Sequence, residues 1–158
     1  LDDIERALIL LSTLRAHGAI KLFRDLFVVV PDRDKFAIDT IFSGLNNVRV
    51  IAESVVFPPG TQLDPTWEGY AIQMAIKLYA ASLMSTEFYL TLDADVLCTK
   101  RGISLEDLLP SRRANYINEG KHVHPAWWKS STRLLRAKEQ EPIAETGGFG
   151  VTPAILST

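Results

Sequence analysis

Two aspartates, Asp93 and Asp95, stand one residue apart directly after the apolar segment at residues 88–92. In a continuing strand their carboxylates would face opposite ways, but a turn at Ala94 lets them converge on one point. Converging carboxylates suit a hard cation such as Mg²⁺ or Mn²⁺, which takes oxygen ligands and commonly combines one or two carboxylates with substrate phosphates. Aspartates also follow strands because they favour turns, so the spacing alone leaves both interpretations open.

The elements that would position this pair alternate in type along the chain. Apolar segments at residues 26–30, 48–52 and 88–92 are predicted to be buried strands, and helices are predicted over residues 34–45 and 67–84. The order β-α-β-α-β predicts an α/β fold with a mainly parallel sheet, right-handed crossovers and helices on both faces.

Ligands of such sheets bind beyond the carboxyl ends of the strands. Pro31 and Asp32 follow the first predicted strand, Glu53 follows the second, and the aspartate pair follows the third. The sequence therefore predicts that these polar residues reach one edge of the sheet.

The remaining elements are predicted from shorter patterns. Apolar residues at helical spacing predict an amphipathic leading helix within residues 1–18. In the second half we expect a short helix at 105–109, a short strand at 114–117, a helix at 126–136 and a glycine-rich loop at 147–152 that feeds a strand.

Composition predicts one globular domain over residues 1–158, with 47% hydrophobic and 23% charged residues. The 17 basic and 19 acidic residues are scattered, without the basic stripe that nucleic acid requires. The only cysteine, Cys98, favours a reducing, cytoplasmic compartment, and no membrane segment or signal peptide is expected. Because the chain begins without Met and stops just after Pro153, where a helix is predicted to begin, it suits a domain incomplete at its C-terminus.

The motifs in order resemble the nucleotide-sugar-binding half of a GT-A glycosyltransferase, whose Asp-x-Asp motif corresponds to Asp93-Ala94-Asp95. The resemblance runs from about Leu26 to the end and extends to a poorly characterised family of glycosyltransferase-like proteins. The segments that carry it are Val28-Val29-Val30-Pro31-Asp32, Glu53, Gln73 with Lys77-Leu78, Leu90-Thr91-Leu92-Asp93-Ala94-Asp95, His124-Pro125-Ala126-Trp127-Trp128 and Gly150-Val151-Thr152-Pro153-Ala154-Ile155-Leu156.

The resemblance implies a metal-dependent transferase that moves a sugar from a nucleoside diphosphate sugar, with UDP or GDP as the nucleotide, to an unknown acceptor. Pro31 and Asp32 would line the nucleoside pocket, and Glu53 would accept a hydrogen bond from the base or the ribose. Asp95 would bind Mn²⁺ or Mg²⁺, and Asp93 would bind the ribose or the same metal.

The resemblance also implies that Gln73 and Lys77, one helical turn apart, face the donor diphosphate. These residues could instead have no role in binding. Lys77 would then be a surface lysine lying over apolar residues, and Asp32 and Glu53 would be solvated acids of loops.

The acceptor side of the site would be formed by residues of the second half. One indole of Trp127 and Trp128 could face a sugar ring, or both could pack in the core. The resemblance puts Gly147 and Gly148 at the acceptor border, where glycines allow close approach to the backbone. Glu145 is the acid nearest this loop and a candidate for the catalytic base. Glu119 and Glu141 are alternative candidates, and Glu145 could instead be a surface residue of the loop.

Two other functions fit parts of the sequence. In a haloacid-dehalogenase-like phosphatase Asp93 would be the covalent nucleophile, but Asp107 is the only aspartate after Asp95 and Leu97 replaces the Thr or Val usual in that motif. The third possibility is a non-catalytic domain that binds a nucleotide or a protein partner.

Overall fold

The computed structural model describes residues 2–63, 65–67, 69–115, 118–134, 147–149 and 153–158. The fold class is α/β, as predicted. The α-helices are α1 (Asp2–Ala16), α2 (Lys35–Phe42), α3 (Glu53–Val56), α4 (Gly69–Tyr79), α5 (Leu105–Leu108) and α6 (Pro125–Leu134). The strands are β1 (Leu26–Val30), β2 (Val48–Ala52), β3 (Phe88–Thr91), β4 (Asn118–Gly120), β5 (Gly147–Phe149) and β6 (Ala154–Ser157).

The leading helix α1 forms as its apolar spacing predicts. Leu10, Leu11 and Leu14 are buried on one stripe of the helix. Arg15 occupies the last turn, where a cation is favoured by the helix dipole, and Gly18 beyond it adopts the left-handed conformation with φ of 76°.

Strands β1 and β2 form the parallel pair that the sequence predicts, with the predicted bounds. Their register runs from Leu26 opposite Val48 to Val30 opposite Ala52, so both strands end at the same edge. The crossover between them contains α2. One core cluster includes Val30 and Val50 of the strands with residues of α1 and α2.

The third strand, β3, differs from the prediction in its pairing. It pairs antiparallel with β6, from Phe88 opposite Ser157 to Thr91 opposite Ala154. In the described part of the chain the strands therefore form three two-stranded sheets, β1–β2, β3–β6 and β4–β5, of which the first is parallel. The strand that the glycine-rich segment is predicted to feed is confirmed as β6, which pairs with β3. The helix predicted to begin at Pro153 is therefore wrong.

The chain beyond β3 returns to the main core. Cys98 is buried within the cluster, and Leu92 and Ile103 pack against it. The backbone amide of Cys98 donates to the Thr13 hydroxyl of α1 at 3.1 Å. The loop that follows the acidic pair is thus attached to the leading helix.

Two shorter predictions in the second half are wrong. Ala114 and Asn115 lie outside any strand, and the strand begins at Asn118. The reason is that Asn115 binds the last turn of α5. Its backbone amide donates to the Leu108 carbonyl at 2.9 Å and its side-chain amide to the Asp107 carbonyl at 3.1 Å. Residues 116–117 lie outside the described residues.

The glycine-rich segment at Gly147–Phe149 is strand β5 rather than a loop, because its backbone pairs with β4. Helices α5 and α6 confirm the predictions at 105–109 and 126–136 to within two residues, apart from 135–136, which lie outside the described residues. Among the described helices, each is too short or too polar to cross a membrane.

Candidate active site

The carboxyl ends of β1 and β2 open onto one cavity. Because the last paired residues are Val30 and Ala52, Asp32 and Glu53 leave the two strands at the same edge. Both line a cavity of about 590 Å³. An adjoining recess of about 360 Å³ is lined by Pro31, Asp32, Arg33 and Glu53. The structure thus brings together three of the residues that the sequence predicts for a nucleoside pocket.

The wall of the cavity is mostly apolar and comes from the loop after α3 and from α4. Its remaining lining residues are Ser54, Val55, Phe57, Pro58, Pro59, Gly60, Thr61, Leu63 and Ile72. The Thr61 amide donates to the Pro58 carbonyl at 3.0 Å, and Gly60 has φ of 83°, so the turn needs glycine there. Phe57 packs edge-on against Tyr79 at 5.3 Å between ring centroids, which holds the loop against the end of α4.

The Asp32 carboxylate is hydrogen-bonded to Ser54 of α3. Its carboxylate accepts from the Ser54 amide at 3.1 Å and also from the Ser54 hydroxyl. These bonds lower the pKa of Asp32, the hydroxyl bond having the larger effect. Asp32 is therefore ionised at neutral pH and fixes the turn that carries Glu53, which is half-buried.

A second cluster joins α4 to the end of β3. The Lys77 ammonium lies 2.6 Å from Asp93 Oδ1, and the two side chains are 12% and 28% exposed. The Tyr89 hydroxyl of β3 donates to the Lys77 carbonyl at 2.9 Å, and burial raises the pKa of this phenol. Lys77 is thus an ion-pair partner of the acidic motif.

The turn that would let the two aspartates converge is present. The Val96 amide donates to the Asp93 carbonyl at 3.2 Å, closing the chain around Ala94 and Asp95. Asp93 is half-buried, whereas Asp95 is exposed. The two carboxylates therefore differ in their surroundings.

The acidic turn presents one exposed carboxylate, that of Asp95. Among the described residues no group of three or more His, Cys, Asp or Glu side chains could hold a metal ion. Mg²⁺ and Mn²⁺ commonly use one or two carboxylates and complete their shell with phosphates and water. Asp95 is the residue that could hold such an ion, since Asp93 faces Lys77.

Comparison with known proteins gives a family and no function. The model of the Family of unknown function (DUF6492) matches residues 1–158. The chain belongs to the DUF6492 family. No curated protein and no solved structure matches it.

In this DUF6492 chain the two clusters have α4 in common. Ile72 of α4 lines the cavity, and Lys77 of the same helix pairs with Asp93. Gln73, beside Ile72, is exposed on α4. The cavity lining does not include Asp93 or Asp95, so the structure does not bring the predicted nucleoside and diphosphate residues into one recess.

The predicted acceptor residues lie on other elements. Trp127 and Trp128 belong to α6, where Trp128 is half-buried, and Gly147 and Gly148 belong to β5. Glu145 lies outside the described residues. The described contacts do not bring these residues to the cavity.

Sequence reasoning missed Ser54 and the proline wall. Ser54 follows Glu53 in the chain, but its role depends on the parallel register, which carries Asp32 to it. Pro58 and Pro59 follow β2 after only the one-turn helix α3 and Phe57. This closeness to the carboxyl end of β2 is the signal that could have marked them as lining residues.

Proposed function

We propose that this DUF6492 chain is the GT-A-like domain of a metal-dependent glycosyltransferase, which moves a sugar from a nucleoside diphosphate sugar to an acceptor. The observation that carries the proposal is the cavity at the carboxyl ends of the parallel strands β1 and β2, with Asp32 and Glu53 at its polar end. Ligand sites of α/β proteins occur at this edge.

The cavity suits the nucleoside of the donor. Its volume of about 590 Å³ lies within the range of small-molecule sites. The apolar side chains of Phe57 and Ile72 can cover the faces of a base or ribose. The Glu53 carboxylate can accept hydrogen bonds from base N–H or ribose hydroxyl groups, while Asp32 keeps its turn in place through Ser54.

The donor diphosphate would extend from this cavity along α4 toward the acidic turn. Gln73 offers an amide donor, and the Lys77 ammonium adds positive charge near the turn. The exposed Asp95 would hold Mn²⁺ or Mg²⁺. When bound, such an ion supplies Lewis-acid neutralisation of the charge on the departing diphosphate.

The proposal includes the mainly parallel GT-A sheet with helices on both faces. The parallel β1–β2 pair supports it, as does the packing of Leu92, directly after β3, on the core cluster that contains Val30 and Val50. The acceptor would bind on the side of Trp127, Trp128, Gly147 and Gly148, with Glu145 as the candidate base.

The test is calorimetric titration with UDP and with GDP, each with and without Mn²⁺. We expect Mn²⁺-dependent binding of at least one nucleotide by the unmodified chain and its loss in Asp95→Ala. The matched control is Asp39→Ala, which removes an exposed carboxylate of α2 that pairs with Lys35. Binding that is independent of Mn²⁺ and unchanged in Asp95→Ala would contradict the proposal.

Two further outcomes would point to the alternatives. Hydrolysis of a phosphomonoester that disappears in Asp93→Ala would favour the phosphatase. Absence of nucleotide binding under all conditions would favour a non-catalytic domain.

A further inference from the structure

Lys77 and Asp93 differ from the other ion pairs in how far both partners are shielded. Their side chains are 12% and 28% exposed. In every other ion pair of the described residues, at least one side chain is more than half exposed. Because water screens this pair less, the attraction between the ammonium and the carboxylate is stronger here than at the surface.

Lys77 is also held in place from several directions. It occupies the last turn of α4, where the helix dipole favours a cation. Its carbonyl accepts the Tyr89 hydroxyl of β3, four residues before Asp93. One segment of chain therefore contacts residue 77 at two points, its backbone through Tyr89 and its ammonium through Asp93.

We propose that Lys77 withholds Asp93 from the divalent cation. Asp93 is then a positioning residue that ties the acidic turn to α4, and Asp95 alone presents its carboxylate to the cation and the donor diphosphate. This inference rests on the proposed function, because it divides the roles within that site.

These separate roles for Asp93 and Asp95 predict the direction in which cation affinity changes when Lys77 is replaced. A divalent cation that approached Asp93 would meet the Lys77 ammonium at 2.6 Å from Oδ1. Replacing Lys77 by an uncharged residue removes this repulsion and makes the Asp93 carboxylate available as a second ligand. Cation affinity should therefore rise in the same variant whose folded state is weakened, which a purely structural ion pair would not produce.

The experiment compares the variants Lys77→Met, Asp93→Asn, the double variant K77M/D93N and Asp95→Asn with the unmodified chain. The thermal midpoint is measured for each variant. Mn²⁺ is titrated calorimetrically first without nucleotide, because Lys77 is itself proposed to lie near the donor diphosphate, and then in the presence of UDP and of GDP. Lys35→Met, which removes an exposed lysine paired with Asp39, is the matched control.

We expect each single change at the pair to lower the midpoint by about 3–8 °C, and the double variant to recover most of that loss. Without nucleotide, Lys77→Met should bind Mn²⁺ about three- to tenfold more tightly. Asp93→Asn should weaken Mn²⁺ binding by about threefold, because the Lys77 ammonium is left without its carboxylate partner. Asp95→Asn should weaken Mn²⁺ binding by about tenfold or more with an unchanged midpoint, and Lys35→Met should change neither quantity.

A loss of Mn²⁺ affinity in Asp93→Asn as large as that in Asp95→Asn would overturn the inference, and so would unchanged affinity in Lys77→Met. If the unmodified chain binds neither Mn²⁺ nor nucleotide, the proposed function and the role of Asp95 fail together. The thermal midpoints then test the role of Asp93 alone. Recovery of the midpoint in the double variant supports its positioning role, and additive losses of midpoint overturn it.

Discussion

The Asp32 carboxylate accepts hydrogen bonds from both the amide and the hydroxyl of Ser54, and so joins the end of β1 to the first turn of α3. Glu53 lies between Ser54 and Ala52, the last residue of β2, and it lines both recesses of the candidate site. The geometry of the predicted base-recognising carboxylate therefore depends on a neighbour that does not need to touch the ligand.

Ser54→Ala is expected to weaken nucleotide binding about three- to tenfold, because losing one hydrogen bond to an ionised carboxylate loosens the turn that carries Glu53. Calorimetric titration with UDP and GDP measures the effect. The matched control is Ser43→Ala, which removes a hydroxyl that donates to Thr40 on α2, away from the cavity. Equal affinities in the two variants would show that the link to Asp32 does not position the site.

Glu53→Gln is expected to weaken nucleotide binding about tenfold with an unchanged thermal midpoint, because an amide presents one acceptor where the carboxylate presents two. The same titration and a thermal melt distinguish loss of recognition from loss of structure. Glu5→Gln, on the exposed part of α1, serves as the control. A midpoint that falls together with the affinity would assign Glu53 to the fold.

Phe42→Ala is expected to lower the free energy of unfolding by about 3–5 kcal/mol, because it empties a space in the core. Phe42 is 2% exposed, whereas Phe36 on the same helix is 86% exposed. Phe36→Ala should therefore change the free energy of unfolding by about 0.5 kcal/mol or less. Urea unfolding monitored by circular dichroism compares the two, and similar losses would contradict the placement of α2.

Asp107 predicts an acid dependence of stability. Its hydrogen bonds to Lys100 first, and then to Ser104 in the capping box of α5, lower its pKa well below the ordinary value of 3.8. A carboxylate whose pKa is lower in the folded than in the unfolded state stabilises the fold above the unfolded pKa, and this contribution is lost as the pH falls through the folded pKa.

The midpoint of Asp107→Asn should therefore lie below that of the unmodified chain at pH 7, and the difference should shrink as the pH falls below 3.8. Thermal melts across this range measure it. A difference that stays constant with pH would mean that the capping contact is stabilising without its charge.

The parts of the fold that the sequence predicts well are those whose signal is local. Strand β1 is a continuous apolar segment and β2 is apolar apart from Arg49, and each forms with the predicted bounds. Strand β5 depends on a partner far along the chain, so its glycines predict a loop when taken alone. The residues after Pro153 carry two predictions, a helix start and a strand, and pairing with β3 decides for the strand. Asn115 likewise binds the last turn of α5 in place of the predicted strand.

The candidate site divides in the same way. The parallel order of β1 and β2 was enough to bring Asp32 and Glu53 to one edge, because that follows from chain order. The contacts that define their roles, from Ser54 to Asp32 and from Lys77 to Asp93, join residues of different elements. Such contacts depend on register and helix rotation, which no spacing in the sequence expresses.

The hydrogen bond from the Cys98 amide to Thr13 makes the Cys98 thiol a reporter of the opening of α1. Since Cys98 is the only thiol of the chain and is buried under α1, its rate of reaction with a thiol reagent measures how often that helix lifts away. Ligands that order the acidic turn a few residues earlier would slow this reaction, so binding at the candidate site could be followed by a colorimetric assay that requires no knowledge of the acceptor.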